Sequence, residues 1–90
     1  MKVTLEYFGS LREAAGLNQE DLDLAVGADG TMLLQSAAEK HGEPLRSLLL
    51  NAEGTPHPWL LIAVDDMVET RAIELSQGAH VLLSSPISGG

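Results

Sequence analysis

The C-terminal end of the chain, Ser85-Pro86-Ile87-Ser88-Gly89-Gly90, holds the strongest candidate for chemistry. Glycines lack a Cβ, so a terminal pair can enter a narrow channel and adopt unusual backbone angles inside a partner's site. The carboxylate of Gly90 is then a candidate reactive group. The alternative is an inert, frayed tail, and the residue types alone leave both interpretations open.

The three histidines do not form a metal-binding pattern. His41 ends a predicted helix, His57 lies in a proline-containing loop and His80 lies in a predicted strand. No spacing between them is typical of metal ligands. The chain also has no cysteine, which excludes a disulfide, a thiolate nucleophile and a cysteine-based zinc site. We therefore expect no metal.

The remaining acidic and hydroxyl side chains have a simple structural explanation. Asp65 and Asp66, with Glu69 nearby, are typical turn formers, and no EF-hand spacing surrounds them. A serine of the C-terminal tail would need a rigid base and an oxyanion hole to act as a nucleophile, and a flexible tail supplies neither. No glycine motif matches a phosphate-binding fingerprint. Hydrolase chemistry is not expected.

The composition describes one small acidic domain spanning residues 1–90. Thirteen acidic and five basic residues give a net charge of −8, which disfavours nucleic acid and anionic membranes and favours a basic protein partner. No apolar signal core follows Lys2, and no apolar run approaches membrane-spanning length. We expect a cytoplasmic protein with no nucleic-acid or membrane partner.

Apolar alternation predicts the strands that must position the tail. It predicts strands at 2–8 and 21–26, the first with Val3, Leu5 and Tyr7 on one face and the second with Leu22, Leu24 and Val26. The continuous apolar run 59–64 predicts a central strand buried on both faces. A turn at 65–66, a short edge strand and connection within 67–75, and a last strand at 80–83 complete the predicted sheet.

Capping residues and glycines predict three helices between these strands. Ser10 and Glu13 have capping-box spacing ahead of a short helix that ends at Gly16. A longer helix is predicted from an N-cap at Thr31 to Gly42, and a third begins at Pro44. A sheet with helices on one face follows from this order of elements.

Two segments of the chain resemble the small subunit of molybdopterin synthase, a ubiquitin-like sulfur carrier of the MoaD/ThiS type. The first is Tyr7-Phe8-Gly9-Ser10-Leu11-Arg12-Glu13-Ala14-Ala15-Gly16, and the second is 75–83 followed by the ending at 86–90. Because length and element order also agree, the likeness covers essentially the whole chain. It implies an α+β fold, the ubiquitin-like β-grasp, with a mixed sheet, helices on one face and a flexible C-terminal Gly-Gly tail at 84–90.

The resemblance also implies the chemistry of a carrier that is not itself catalytic. A partner adenylating enzyme of the ubiquitin-activating type, using ATP and magnesium, would join the Gly90 carboxylate to AMP. A sulfur donor protein would then convert the adenylate to a thiocarboxylate. In the large synthase subunit this group would donate sulfur to a pterin precursor of the molybdenum cofactor. The chain itself would bind no cofactor.

The same resemblance assigns roles to individual residues. Gly90 would carry the adenylate and the thiocarboxylate, and Gly89 would be its flexible neighbour. Three preceding residues would enter the partner: Pro86, Ile87 and Ser88. Phe8 points away from the predicted core side of its strand, so it either lies on the docking surface or packs under the short helix.

Three other functions fit the same sequence. The carrier could serve another pathway, such as thiamine, cysteine or thiolated tRNA synthesis. The chain could be a ubiquitin-like modifier whose Gly90 becomes amide-linked to target lysines. It could also be an interaction domain with an inert tail.

Overall fold

The structure is a computed structural model that describes residues 1–68 and 73–85. Its elements are, in chain order, β1 (Lys2–Tyr7), α1 (Ser10–Ala15), β2 (Gln19–Asp23), α2 (Gly30–His41), α3 (Leu45–Leu49), β3 (Leu61–Val64), β4 (Met67–Val68) and β5 (His80–Ser84). The five strands form one mixed sheet in the order β2-β1-β5-β3-β4. Among the described strands, the β1–β5 pair is parallel, and the pairs β1–β2, β3–β5 and β3–β4 are antiparallel.

Helices cover one face of this sheet, and no element within residues 1–68 and 73–85 covers the other, which we call the uncovered face. Alternate residues of β1 and β5 point into the core, and α2 contributes a buried stripe to the same layer. The fully buried side chains of these three elements are Val3, Leu5, Tyr7, Val81, Leu83, Leu33, Leu34, Ala37 and Ala38. Each large apolar side chain buried in this way stabilises the fold by roughly 1.5–3 kcal/mol.

The observed helix starts differ from the predicted starts by one or two residues. The residue before α1 is Gly9 and no side chain caps this helix, so the predicted Ser10–Glu13 capping box is not formed. Gly16 ends α1 in the left-handed conformation, as predicted. The N-cap of α2 is Asp29 rather than Thr31, because the Asp29 carboxylate accepts a hydrogen bond from the Met32 N–H.

Two predicted core positions are exposed. Leu61 of β3 is 46% exposed, so the prediction of a strand buried on both faces is wrong. The physical reason is that the helices cover only one side of the sheet. Val26 is 90% exposed because β2 ends at Asp23 and residue 26 lies in the turn that leads to α2.

The β3–β4 turn is a two-residue hairpin, as its acidic pair predicted. Asp65 has φ 49° and Asp66 has φ 72°, and two successive left-handed residues are what a type I′ hairpin requires. Asp65 also connects this hairpin to β5. Its backbone N–H donates to the His80 carbonyl at 2.8 Å, and its Oδ1 accepts from the His80 N–H at 3.0 Å.

The last strand extends one residue further than predicted. Ser84 pairs with Leu61 in the β3–β5 ladder, so it belongs to the sheet rather than to a tail beginning at residue 84. Within residues 1–68 and 73–85, no helix has the length and apolar character needed to cross a membrane.

Candidate docking face and carrier segment

The end of β5 brings the chain out of the middle of the sheet. β5 lies between β1 and β3. On one side the Phe8 N–H donates to the Leu83 carbonyl at 3.0 Å, and on the other Leu61 pairs with Ser84. The chain therefore leaves the sheet between Phe8 and Leu61. The predicted carrier residues that follow lie outside the described residues: Pro86, Ile87, Ser88, Gly89 and Gly90.

The uncovered face of the sheet carries an apolar patch, defined here as Phe8, Leu61, Ala63 and Leu82. Ala63 lies directly opposite Leu82 in the β3–β5 ladder, so both side chains point to the same face. Phe8 continues the alternation of β1 beyond the buried Tyr7 and is 39% exposed. This exposure means that Phe8 is not buried beneath α1, and a docking role for it stays a prediction. The patch borders the point where β5 ends.

The other half of the uncovered face is acidic. The alternation of side chains along β1 and β2 places three acidic residues on this face. We name these residues the acidic strip: Glu6, Asp21 and Asp23. The Thr4 hydroxyl donates to Asp21 Oδ1 at 2.7 Å, and the His80 imidazole Nε2 lies 2.8 Å from Glu6 Oε1. Apolar side chains beside carboxylates are suited to a partner that presents an apolar centre with a basic rim.

Beneath the sheet, one carboxylate lies among the core residues. Glu20 of β2 pairs with the buried Leu5 and points to the helix side, where its side chain is only 6% exposed. The Tyr7 hydroxyl donates to Glu20 Oε2 at 2.6 Å, and His41 Nε2 lies 2.6 Å from the same oxygen. The Lys40 ammonium lies 2.7 Å from Oε1 as an ion pair without hydrogen-bond geometry. These four residues are the Glu20 cluster, which connects the edge strand to the end of α2.

The Glu20 cluster shifts two pKa values in opposite directions. Burial raises the pKa of the Tyr7 phenol, and the hydrogen bond and negative charge of Glu20 raise it further. Burial also acts to raise the pKa of Glu20, but the contacts of Lys40, Tyr7 and His41 with the carboxylate outweigh burial and leave that pKa below its ordinary value. Both pKa shifts favour a charged Glu20 carboxylate and a neutral Tyr7 phenol. This combination is expected of a hydrogen bond that stabilises the fold.

A surface pocket of about 490 Å³ lies beside α3 and the loop that follows it. Its lining residues are Glu43, Arg46, Ser47, Leu50, Asn51, Ala52 and His57. Several of its polar side chains bond to groups of α3 and the neighbouring loops. Glu43 Oε1 accepts from the Ser47 N–H and hydroxyl, His57 Nε2 contacts the Ser47 carbonyl, and Asn51 accepts from two N–H groups of its loop.

The three histidines lie in different parts of the fold. His41 ends α2, His57 stacks on Trp59 with ring centroids 4.6 Å apart, and His80 begins β5. In the part of the chain that the structure describes, no group of three His, Cys, Asp or Glu side chains could hold a metal ion.

Comparison with known proteins identifies the fold. No protein-family model matches the sequence, and no curated protein matches it. Among solved structures, the chain is similar to SAMP1 from Haloferax volcanii at 20% identity, with a TM-score of 0.89 over 100% of both chains. It is also similar to Urm1 from Trypanosoma brucei at 21% identity, with a TM-score of 0.77 over 99% of this chain and 95% of that one.

A third similar structure is described as molybdopterin converting factor subunit 1 from Pyrococcus furiosus. It is 26% identical, with a TM-score of 0.78 over 96% of this chain and 98% of that one. The chain therefore has the ubiquitin-like β-grasp fold of the MoaD/ThiS type, and the predicted fold class is confirmed.

The sequence named Phe8 as a candidate for the docking surface, which stays a prediction, and it did not single out Leu61 or the Glu20 cluster. A signal for Glu20 was present, because it shares its strand face with the buried Leu22. A carboxylate on a core-facing position requires partners. No comparable signal identified Leu61, whose exposure depends on which face the helices cover.

Proposed function

We propose that this chain is a ubiquitin-like sulfur carrier that presents a C-terminal glycine to partner enzymes. The observation that carries the proposal is the position of β5. A central strand, held by β1 and β3 on its two sides, ends beside an exposed apolar patch. A partner that covers this patch receives the following segment at a defined point, so docking and delivery of the terminal glycine are coupled.

The proposed chemistry depends on two features of the chain, the absence of a cysteine thiol and the presence of the Gly90 carboxylate. With no cysteine in its sequence, the protein has no thiol on which to carry sulfur, and the Gly90 carboxylate is the remaining handle. A carboxylate is a poor electrophile, so it must first acquire a good leaving group. The Gly90 carboxylate would attack the α-phosphate of ATP in the partner adenylating enzyme, and pyrophosphate would leave. Hydrosulfide released by the sulfur donor would then attack the acyl carbon, a C–S bond would form as the C–O bond to AMP breaks, and AMP would leave with that electron pair, so that a thiocarboxylate remains on Gly90.

In this proposal the partners supply ATP, magnesium and the catalytic groups. The described residues of the chain contribute binding. The apolar patch excludes water at the centre of the interface, and the acidic strip selects a partner with a basic rim and speeds encounter. Residues Pro86, Ile87 and Ser88 would enter the partner's channel, with Gly89 and Gly90 at its narrowest point.

The pathway we propose is the molybdenum cofactor, with the large subunit of molybdopterin synthase as the final partner. The motif at residues 7–16 and the 26% identity to a molybdopterin converting factor subunit support it. The second candidate is a ubiquitin-like modifier. The high structural similarity to SAMP1, whose full name is small archaeal modifier protein 1, favours it.

The intact mass of the protein isolated from its own host tests the proposal. We expect a fraction whose mass corresponds to one oxygen replaced by sulfur, localised to Gly90 by peptide mapping. The matched control is a variant without Gly90, which should carry no such change. An unmodified mass in cells with an active adenylating enzyme and sulfur source would refute the carrier function.

Two further readouts separate the pathways. Loss of molybdopterin in cells that express only the variant without Gly90, with rescue by the wild type, supports the molybdenum pathway. Gly90-dependent conjugates on a denaturing gel support the modifier. A normal level of molybdopterin in those cells would reject the role in the molybdenum pathway. A thiocarboxylate measured on Gly90 would then have to serve a different pathway.

A further inference from the structure

The pocket beside α3 contains a guanidinium group that has no partner among the described residues. Arg46 lines this pocket and is exposed. Within residues 1–68 and 73–85 its side chain makes no hydrogen bond or ion pair, whereas the Lys40 ammonium lies 2.7 Å from Glu20. The chain has thirteen acidic and five basic residues. An unpaired guanidinium in a concave surface of such a protein is a position where an anion can bind.

A second group of the pocket supplies hydrogen-bond donors. Asn51 Oδ1 accepts from the Glu53 and Thr55 N–H groups, each at 3.0 Å, and Asn51 Nδ2 donates to no residue in the described part of the chain. The acidic residue of the pocket is bonded to α3, because Glu43 Oε1 accepts from the Ser47 hydroxyl at 2.7 Å. A guanidinium and an amide nitrogen are donors only, and together they fit the two oxygens of a carboxylate.

The pocket lies at the end of the sheet where β5 ends. Leu61 pairs with Ser84 in the β3–β5 ladder, which places Leu60 level with Ser85 at a strand separation of about 5 Å. The Leu60 N–H donates to the His57 carbonyl at 3.2 Å, and the ends of such a turn lie within about 7 Å of each other. His57 lines the pocket. The pocket therefore begins within about 12 Å of Ser85.

The five residues that follow Ser85 are long enough to reach this pocket. A segment of five residues spans at most about 18 Å, and a short linker gives its end an effective concentration in the millimolar range at a site within reach. Lys2 lies at the opposite end of the sheet. Thr4 is opposite His80 in the β1–β5 pair, so Lys2 is level with residue 78, about 23 Å from Ser85.

We propose that the pocket beside α3 is a carboxylate-binding site, and that its occupant is the chain's own C-terminal carboxylate. The Arg46 guanidinium and the Asn51 Nδ2 group donate to the two oxygens of Gly90. The inference rests on the proposed function, because that function makes Gly90 the free end of the chain and gives the segment a partner to which it is released. An exposed ion pair is weak, so a partner that docks on the apolar patch can compete with Arg46 for the segment.

Paramagnetic relaxation measures where the C-terminal segment lies in the full chain. The sequence has no cysteine, so Ser88→Cys supplies a single thiol for a nitroxide label. The reference is Ala63 on the uncovered face, which lies opposite Leu82 and about 10 Å from the level of Ser85. We expect the amide signal of Asn51 to broaden more than that of Ala63, and we name this difference the excess broadening. Equal broadening, or stronger broadening at Ala63, would overturn the inference.

Substitutions in the labelled chain identify the group that holds the carboxylate. Arg46→Gln should lower the excess broadening about two- to fivefold, as expected for the loss of one exposed ion pair. Glu43→Gln should raise it, because a negative charge that lines the pocket is removed. The matched control is Lys2→Gln, which removes the same charge at the opposite end of the sheet and should leave the excess broadening unchanged. No effect of Arg46→Gln, or an equal loss with Lys2→Gln, would reject Arg46 as the binding group.

Two further samples identify the occupant. A chain that ends in the amide of Gly90 lacks the charged oxygen and should lose the excess broadening to the same extent as Arg46→Gln. Full retention in the amide would show that the carboxylate is not what the pocket binds. A mixture of isotope-labelled chain and nitroxide-labelled chain should show no broadening at Asn51. Broadening in this mixture would assign the pocket to the tail of a second copy and reject the chain's own segment.

These measurements use no enzyme, ATP or sulfur source, so they are separate from the test of the carrier function. An unmodified mass in the host would refute sulfur carriage without altering the broadening at Asn51. A thiocarboxylate on Gly90 together with equal broadening at Asn51 and Ala63 would retain the carrier function and reject the pocket as the binding site. Thermal unfolding of each variant verifies that it is folded.

Discussion

Replacement of Glu20 by glutamine tests whether the Glu20 cluster stabilises the fold. The carboxylate is nearly buried and contacts Tyr7, His41 and Lys40. Glutamine has almost the same shape and retains an acceptor oxygen for the Tyr7 hydroxyl. Glu20→Gln therefore removes the charge without opening a cavity, and the change in stability reports the electrostatic contribution of the cluster.

The expected loss follows from the two buried contacts. A hydrogen bond to a charged group contributes about 1.5–3 kcal/mol, against about 1 kcal/mol for a neutral pair. Loss of charge at the contacts with Tyr7 and His41 therefore costs about 2 kcal/mol in total. Lys40 adds little because its side chain is half exposed and can return to water. In a domain of this size, the melting temperature should fall by about 8–16 °C.

The pH dependence gives a sharper test than the loss alone. Because the folded-state pKa of Glu20 is lowered, its contribution is fully present above its ordinary unfolded pKa and is lost as pH falls through the folded-state pKa. The stability difference between wild type and Glu20→Gln should be largest near pH 7 and shrink on acidification toward about pH 3.

Urea unfolding at a series of pH values measures this difference. The control is Asp21→Asn, a neighbouring exposed carboxylate whose removal should cost less than about 0.5 kcal/mol. The reasoning would be refuted if Glu20→Gln were as stable as wild type near pH 7, or if its deficit stayed constant down to about pH 3.

Two further predictions concern the uncovered face and the hairpin. Leu61→Asp should weaken binding to the partner adenylating enzyme about tenfold or more by surface plasmon resonance, because it places a charge in the apolar patch. Val26→Asp, at an exposed turn away from the patch, should bind as wild type does, and equal losses in both variants would contradict a localised patch. Asp65→Ala should cost about 1–2 kcal/mol in urea unfolding, because alanine cannot accept from the His80 N–H and does not favour φ 49°. Asp65→Asn retains both properties, so equal destabilisation by the two substitutions would reject this explanation.

Much of the architecture could be predicted from local patterns. Alternation along β1 identified Val3, Leu5 and Tyr7 as core residues, and all three are buried. Gly16 ends α1 and the acidic pair forms the β3–β4 turn, because left-handed backbone angles favour only a few residue types. These features depend on neighbouring residues, so the sequence contains the information directly.

The helix start and the end of β2 were less accessible. Asp29 and Thr31 are both good N-cap residues, and the choice between them depends on where α2 packs against the sheet. The alternation of apolar residues at Leu22 and Leu24 continues to Val26 in the sequence. In the structure β2 ends at Asp23, and the Val26 side chain is exposed to solvent. A local pattern does not show at which residue the pairing between two strands ends.

Composition and local spacing are enough to show that the chain is acidic, lacks cysteine, has a glycine pair at 89–90 and turns particular residues toward the core. Long-range strand pairing sets which residues surround the point where β5 ends. Phe8 and Leu61 are distant in the chain, and they flank this point because β5 inserts between β1 and β3. The same strand order placed Glu20 beside Tyr7 and His41. Such neighbours arise from strand pairing and helix packing across the whole domain, which no local spacing encodes.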